Sequence, residues 1–344
     1  MRRVWTVLKF IGRWFGPVLI MFALWMLFFT EGPWGNMAGL PAQFGGIISA
    51  IALLAGWKSG WTRGRQVLAT CALFGLAFGG WSSWANRQGF TEQAISFHNQ
   101  GAHLVGTIYL PEAKPSGPSA KVPGIVFLSG SGAIPASNFG GIATYFTRRG
   151  FAVLIYDKRG VGKSTGIREA RSFTDVHRDL EALASDAAAG LSFLQSRPEV
   201  GGKPTGFVGI SEGGLIAPRA AALNGHAAFM LNITTTTGSL FELGEFQGWP
   251  RSEARAWFGK DFVPMESLRM LDIPGLWLSA DGDTLVDNRA TQRDVDELRK
   301  LGKPYEYRLI PHAWHGLFFA PAKLSQDAMD SWLARVTTQK PDGK

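Results

Sequence analysis

Apolar and polar positions divide the chain into two parts near residue 90. Three uncharged apolar runs occupy residues 14–30, 38–57 and 66–86, and each has about the length that a helix needs to cross a hydrocarbon core, roughly 20 residues. A cleaved signal peptide is disfavoured, because no small-residue cleavage site follows the first run and two more apolar runs come after it. We therefore predict a membrane region at 1–90 with about three transmembrane helices. The predicted interfacial anchors are the tryptophans near the ends of these runs, namely Trp14, Trp34, Trp57, Trp61, Trp81 and Trp84.

Basic residues between the apolar runs predict how the membrane region is oriented. Residues 1–13 carry four of them and residues 58–65 carry three, whereas the loop after the first run carries only Glu31. Since Lys and Arg are held on the cytoplasmic side, the N-terminus is expected inside and everything after Arg87 outside. The predicted location is the cell (inner) membrane, with the remaining domain on its extracytoplasmic side.

From residue 91 to 344 the pattern is that of a globular domain. Alternating positions at 94–99 and 104–110 indicate a β-hairpin. Short apolar runs then alternate with helical patterns, which predicts a mostly parallel sheet with helices on both faces. The predicted strands are 124–129, 151–156, 207–210, 227–233, 274–279 and 305–310, and the predicted helices are 139–149, 175–195, 215–223, 287–301 and 322–336. A less regular insert covers about 238–270.

Charge and cysteine content exclude several classes of function. The net charge is +8, but residues 1–90 carry eight basic residues and one acidic residue and so hold +7 of it. The rest of the chain is nearly neutral, so we predict no nucleic-acid partner. The one cysteine, Cys71, lies in an apolar run. It therefore offers neither an intrachain disulfide nor a cysteine zinc site, and it argues against a catalytic thiol.

Residues 207–214, Phe-Val-Gly-Ile-Ser-Glu-Gly-Gly, carry the clearest chemical signal in the chain. They place Ser211 between the end of a buried strand and an apolar helix, with Gly209 and Gly213 on either side. A serine on such a sharp turn exposes its hydroxyl, and the glycines permit the strained backbone of a nucleophile elbow. The same pattern also fits an ordinary turn with a serine N-cap. The elbow therefore needs a base, an acid and an oxyanion site from elsewhere.

Other predicted strand ends supply these groups, since ligands of open α/β sheets bind at the carboxyl ends of the strands. A glycine-rich turn at 129–132 follows one strand, and the backbone N–H groups of Ser131 and Glu212 are predicted to form an oxyanion hole. Three aspartates follow a later strand, and two histidines follow the last one: Asp281, Asp283, Asp287, His312 and His315. A serine, then an acid, then a histidine is one of the known orders of a catalytic triad.

Five motifs extend this pattern over roughly residue 94 to the C-terminus. They are Leu-Val-Gly-Thr-Ile-Tyr-Leu-Pro at 104–111, Tyr-Asp-Lys-Arg-Gly-Val-Gly-Lys-Ser-Thr-Gly at 156–166, Ser-Glu-Gly-Gly at 211–214, Asp-Thr-Leu-Val at 283–286 and His-Gly at 315–316. With them the chain resembles bacterial α/β-hydrolases of the dienelactone-hydrolase and serine-aminopeptidase-like type. The resemblance implies the α/β-hydrolase fold, and it selects Asp283 as the acid and His315 as the base.

Some positions depart from that family or need a second interpretation. The family usually has His where this chain has Ser129, and often His or Gln where it has Ile210, which changes the walls beside the nucleophile. The resemblance makes 156–166 a structural turn with Asp157 and Arg159 paired. A P-loop is excluded there, because Asp157 stands where that motif needs a glycine. Asp186, on a long helix, is expected to be a solvated or capping charge.

The sequence thus predicts a membrane-anchored serine hydrolase of the α/β-hydrolase fold that cleaves carboxylic esters. Its catalytic residues would be Ser211, Asp283 and His315, with the backbone N–H groups of Ser131 and Glu212 binding the oxyanion. The expected partners are a small-molecule ester or acyl substrate and the lipid bilayer, without a cofactor or a metal, and the oligomeric state is not indicated. A serine peptidase, an acyl-thioesterase and an inactive hydrolase-like scaffold are the alternatives.

Overall fold

The computed structural model describes residues 89–112, 120–168, 176–253, 260–316 and 322–338. The three predicted membrane spans lie outside these ranges. Within them, no helix is both long enough and apolar enough to cross a bilayer.

A central sheet organises the described domain. In this part of the chain eight strands form one sheet with the spatial order β1-β2-β4-β3-β5-β6-β7-β8. The strands are β1 Phe90–Asn99, β2 Ala102–Pro111, β3 Gly124–Leu128, β4 Ala152–Tyr156, β5 Thr205–Ile210, β6 Phe229–Ile233, β7 Gly275–Ala280 and β8 Tyr305–Ile310. β1 and β2 form an antiparallel hairpin, and β2 runs antiparallel to β4. The other neighbours are parallel, which confirms the predicted mostly parallel sheet.

Helices cover both faces of this sheet. The main ones are α1 Gly140–Thr147, α2 Val176–Ser196, α3 Glu212–Asn224, α4 Leu240–Phe246, α5 Pro264–Met270, α6 Asn288–Lys300 and α7 Ala322–Thr338. One buried cluster joins Leu191 of α2, Ala217 of α3 and Val295 of α6 to the sheet. On the other face α1 meets α7, where the Tyr145 hydroxyl donates to the Asp330 carboxylate at 3.0 Å. Strands covered on both faces lose their polar alternation, as in the fully buried β3.

The insert between β6 and β7 is more regular than the sequence analysis predicted. It contains α4 and α5, and α4 begins with a capping box. The Ser239 hydroxyl accepts from the Glu242 N–H, and the Glu242 carboxylate accepts from the Ser239 N–H. α5 begins at Pro264, a residue whose fixed φ suits the first helical turn. Both helix-start signals were present in the sequence.

The turn after β4 corrects two expectations about side-chain pairing. Arg159 does not pair with Asp157 but makes two hydrogen bonds, of 2.6 and 2.7 Å, with the carboxylate of Asp186 on α2. Asp186 is therefore not a solvated charge, because its side chain is fully buried in this ion pair. Asp157 instead accepts from the backbone N–H groups of Ala136 and Lys163, at 2.7 and 2.8 Å. It fixes the turn, while Arg159 anchors the turn to α2.

Candidate active site

Ser211 lies on a strained turn between β5 and α3. Its φ and ψ are +52° and −118°, a conformation that costs a non-glycine residue about 1–3 kcal/mol. The surrounding backbone maintains it, because the Ser211 N–H donates to Ile233 O at 2.9 Å and Ser211 O accepts from the Leu215 N–H at 3.0 Å. This strained strand-to-helix turn is the geometry expected of a nucleophile elbow.

Three glycines close to Ser211 allow the start of α3 to approach the ends of three neighbouring strands closely. A Cβ atom at Gly209 would lie 2.5 Å from the carbonyl carbon of Gly213, and one at Gly213 would overlap the Leu128 carbonyl oxygen. A Cβ atom at Gly214 would lie 2.5 Å from a methyl group of Thr235. The first two obstacles are backbone atoms, which no side-chain rotation can move. The elbow therefore requires glycine at 209 and 213.

Ser211, His315 and Asp283 come together at the carboxyl edge of the sheet. The Nε2 atom of His315 lies 3.2 Å from Ser211 Oγ, and its Nδ1 atom lies 2.8 Å from Asp283 Oδ2. The other carboxylate oxygen of Asp283 accepts from the N–H groups of Leu285 and Val286, at 2.8 and 3.1 Å. The Asp283 side chain is fully buried. One of its oxygens is thus fixed by backbone while the other faces the imidazole.

The other candidate acids and bases, Asp281, Asp287 and His312, lie in turns or at a helix cap. Asp281 Oδ1 accepts from the Ala313 N–H at 3.0 Å, which ties the acid loop to the histidine loop. Hydrogen bonds from backbone N–H groups lower the pKa of the Asp281 carboxyl from its ordinary value of 3.8, and the bond from His312 has the largest effect. Asp287 caps α6 by accepting from two backbone N–H groups. His312 occupies a turn with φ of +56°.

The glycine-rich loop after β3 passes beside Ser211. A Cβ atom at Gly130 would lie 3.5 Å from the Cβ atom of Ser211. Ser131 therefore follows a residue that lies beside Ser211, while Glu212 begins α3 directly after Ser211. Both residues predicted to supply oxyanion-hole N–H groups thus lie close to Ser211, one on the loop after β3 and one next to it in the chain.

A buried charged cluster behind this loop was missed in the sequence analysis. Lys158 Nζ donates to the Gly130 carbonyl oxygen at 2.5 Å and to the Glu212 carboxylate at 2.6 Å. Arg168 bonds the same carboxylate at 3.1 Å and donates to the Gly132 carbonyl oxygen at 3.0 Å. Burial lowers the pKa of the Lys158 ammonium, with Glu212 acting in the opposite direction. Lys158 follows the end of β4, so the strand-end rule applied elsewhere could have identified it.

Exposed apolar side chains stand on the loops that follow several strands and at the end of α4. They are 41–75% exposed and comprise Ile134, Ile167, Phe246, Leu285 and Trp314, which we name the apolar rim. Hydrogen bonds join their loops, because Arg168 reaches Gly132 and the Gln247 side chain donates to Leu285 O at 3.0 Å. Exposed apolar groups gathered at one edge are typical of a binding surface.

Comparisons with known proteins agree with this arrangement. The sequence model of the serine aminopeptidase S33 family matches residues 121–240, which include β3, β4 and the elbow. A polyketide transferase of Penicillium crustosum is 34% identical over 92 residues, 27% of this chain and 28% of that protein. A polyketide transferase of Stachybotrys chlorohalonatus is 29% identical over 153 residues, 44% of this chain and 47% of that protein. The matches thus span less than half the length of these curated relatives.

Solved structures resemble the described domain at low sequence identity. An acylaminoacyl peptidase of Pyrococcus horikoshii has a TM-score of 0.60 at 17% identity, covering 76% of this chain and 44% of that one. An esterase of Pyrococcus furiosus has a TM-score of 0.57 at 18% identity, covering 72% and 92%. The α/β hydrolase GrgF of a Penicillium species has a TM-score of 0.53 at 16% identity, covering 72% and 100%. The domain has the α/β-hydrolase fold, and the matched family model supports a hydrolase.

Proposed function

We propose that this protein is a serine hydrolase that cleaves carboxylic esters through an acyl-enzyme. The observation that carries the proposal is the continuous chain of short contacts from Ser211 through His315 to Asp283, with the serine held on a strained elbow. A hydroxyl, an imidazole and a buried carboxylate in this order form the arrangement that activates a serine for nucleophilic attack.

In this proposal each group has one part of the reaction. Ser211 Oγ attacks the ester carbonyl carbon and transfers its proton to His315 Nε2, while Asp283 holds the Nδ1–H and stabilises the imidazolium. The N–H groups of Ser131 and Glu212 bind the oxyanion, each worth about 3 kcal/mol of barrier. The alcohol leaves with the proton from His315, and water then hydrolyses the acyl-enzyme by the same route. None of these steps calls for a metal or a cofactor.

The apolar rim supports an ester with an apolar acyl or alcohol group as the substrate. Its side chains lie on all three loops of the proposed site: Trp314 directly precedes His315, Leu285 lies two residues after Asp283, and Ile134 lies on the loop after β3. Burying one such side chain against substrate removes apolar surface from water at roughly 25 cal/mol per Å². An apolar ester therefore gains binding energy here that a small polar ester lacks.

Hydrolysis of p-nitrophenyl esters with acyl chains of two to twelve carbons tests the proposal. We expect kcat/KM to rise by at least about tenfold between the shortest and the best chain, since each buried methylene contributes roughly 0.8 kcal/mol. Ser211→Ala serves as the blank. Aminoacyl-anilides and acyl-thioesters in the same assay test the peptidase and thioesterase alternatives. Turnover of anilides without turnover of esters would transfer the assignment to a peptidase.

Acyl transfer is a second candidate, favoured by the two curated relatives that are named polyketide transferases. The same acyl-enzyme would then react with an alcohol instead of water. Adding a primary alcohol to the ester assay and measuring the new ester by mass spectrometry separates the two. A product ratio that favours transfer at low alcohol concentration would mark a transferase, whereas release of free acid alone supports a hydrolase.

We further propose that residues 1–90 anchor the enzyme in the cell membrane, with the catalytic domain outside. The support is the three uncharged runs and the uneven distribution of basic residues around them. Fusions at the C-terminus to a periplasm-active phosphatase and to a cytoplasm-active fluorescent protein measure the topology. We expect phosphatase activity without fluorescence. Fluorescence of the second fusion would instead show that the C-terminus lies in the cytoplasm.

A further inference from the structure

We propose that Lys158 is a positioning residue that holds both donors of the oxyanion hole. The proposal rests on the function proposed above and adds a residue that touches neither substrate nor the triad. One buried ammonium is bonded to the loop that carries Ser131 and to the side chain of Glu212.

The first bond orients the Gly130–Ser131 peptide. A trans peptide is planar, and its C=O and N–H groups point in opposite directions. Because the Gly130 carbonyl oxygen faces Lys158 Nζ at 2.5 Å, the N–H of Ser131 must point away from Lys158. The same peptide adjoins the nucleophile, as a Cβ atom at Gly130 would lie 3.5 Å from that of Ser211. Lys158 thus sets the direction of one oxyanion donor.

The second bond acts on the residue that carries the other donor. Lys158 Nζ lies 2.6 Å from the Glu212 carboxylate, and the two side chains are only 7% and 14% exposed. Glu212 follows the strained Ser211 directly, so fixing its side chain stabilises the first turn of α3. Both sides of the hole are therefore held to one point.

Charge gives Lys158 a second effect on the oxyanion. Glu212 places a buried carboxylate beside a site where negative charge develops, and in such surroundings two like charges repel strongly. Lys158 and Arg168 both bond that carboxylate, and Arg168 also bonds Asp179 at 3.2 Å. Among the residues that the structure describes, these contacts join two positive and two negative groups, so their charges balance. Without Lys158 the cluster would carry a net negative charge behind the oxyanion.

The test is the variant Lys158→Met, which keeps the length of the side chain but removes its charge and donors. We expect kcat for the best p-nitrophenyl ester to fall by about 10- to 100-fold, less than the loss typical of a deleted donor, with KM changed by less than about twofold because ground-state binding is untouched. The rate constant for labelling of Ser211 by a fluorophosphonate should fall in parallel, since that reaction also develops negative charge on an oxygen.

A matched control is Arg159→Met, at the neighbouring position. It also removes a buried cation, but one that bonds Asp186 on α2 rather than the oxyanion loop. We expect a lower melting temperature with kcat within about twofold of the wild type at a temperature where the variant is folded. A Lys158→Met variant no slower than this control, by turnover and by labelling, would overturn the proposal.

A double variant separates positioning from general destabilisation. Lys158→Met with Glu212→Gln removes both buried charges and leaves the Glu212 N–H in place. We expect it to recover part of the kcat that Lys158→Met loses, yet to remain about tenfold or more below Glu212→Gln alone, because the Gly130 carbonyl is still not held. Equal kcat for the double variant and Glu212→Gln would contradict the role of Lys158, even if Lys158→Met alone does not fold.

The labelling measurement also distinguishes the two proposals. If the wild type is labelled but hydrolyses no ester, the proposed substrate class fails, and the labelling rates of the variants still decide the role of Lys158. If the wild type is not labelled at all, both proposals fail together.

Discussion

Ester turnover by the Ser211→Ala variant is expected to fall by about 10⁶-fold, to the level that binding and the oxyanion donors alone sustain. Alanine removes only the hydroxyl that lies 3.2 Å from His315 Nε2, so the fold should persist. His315→Ala should lose about as much, and the double variant no more, because the nucleophile and its base act as one unit. Initial rates at saturating ester, together with unchanged circular dichroism, measure this.

Asp283→Asn completes this set of variants with a smaller expected loss, on the order of 10⁴-fold in kcat. An amide in place of the carboxylate favours the wrong tautomer of the imidazole. Asp287→Asn is the matched control, because asparagine is as good an N-cap as aspartate, and it should leave kcat unchanged. Equal losses at positions 283 and 287 would refute the assignment of Asp283 as the acid.

Gly213→Ala is expected to destabilise the domain by more than about 4 kcal/mol, or to abolish folding, although it adds a single methyl group. The new Cβ atom would overlap the Leu128 carbonyl oxygen. That oxygen ends a central strand with neighbours on both sides, so neither element can retreat without breaking the sheet. Urea unfolding of the purified domain, or its absence from the soluble fraction, measures the effect.

Gly190→Ala is the matched control for this prediction. Gly190 lies within α2, and its Cβ position would be 3.3 Å from the tip of the Phe97 ring, which is a side-chain and not a backbone atom. Since alanine favours helix over glycine by roughly 1 kcal/mol, we expect stability within about 1 kcal/mol of the wild type. A tolerated alanine at 213 would mean that the end of β3 and the start of α3 are not as close as described.

The triad residues could be predicted because each one depends on local sequence. Ser211 has its glycines within two positions, and Asp283 and His315 each lie on the loop that follows a strand, β7 and β8 respectively. Parallel strands bring such ends to the same edge whatever the intervening chain does. Short motifs and one topological rule therefore supplied the candidates, and the family resemblance selected Asp283 and His315 among them.

The charged pairs could not be predicted in the same way, because their partners are distant in sequence. Arg159 bonds Asp186, which is 27 positions away, and Lys158 bonds Glu212, which is 54 positions away. Both contacts depend on how α2 and α3 lie against the sheet. The prediction that Arg159 pairs with the nearby Asp157 was wrong. That carboxylate is instead used by backbone N–H groups in its own turn.

Asp283 and His315, the proposed acid and base, belong to two loops that are hydrogen-bonded to each other. Asp281 accepts from the Ala313 N–H, and the Gly282 N–H donates to Ala313 O at 2.8 Å. These bonds pair the two segments just before Asp283 and His315, so the loops form one exchangeable unit at the ends of β7 and β8. A graft of either loop into another hydrolase would leave half of that pairing unmade, whereas the two together bring their own alignment.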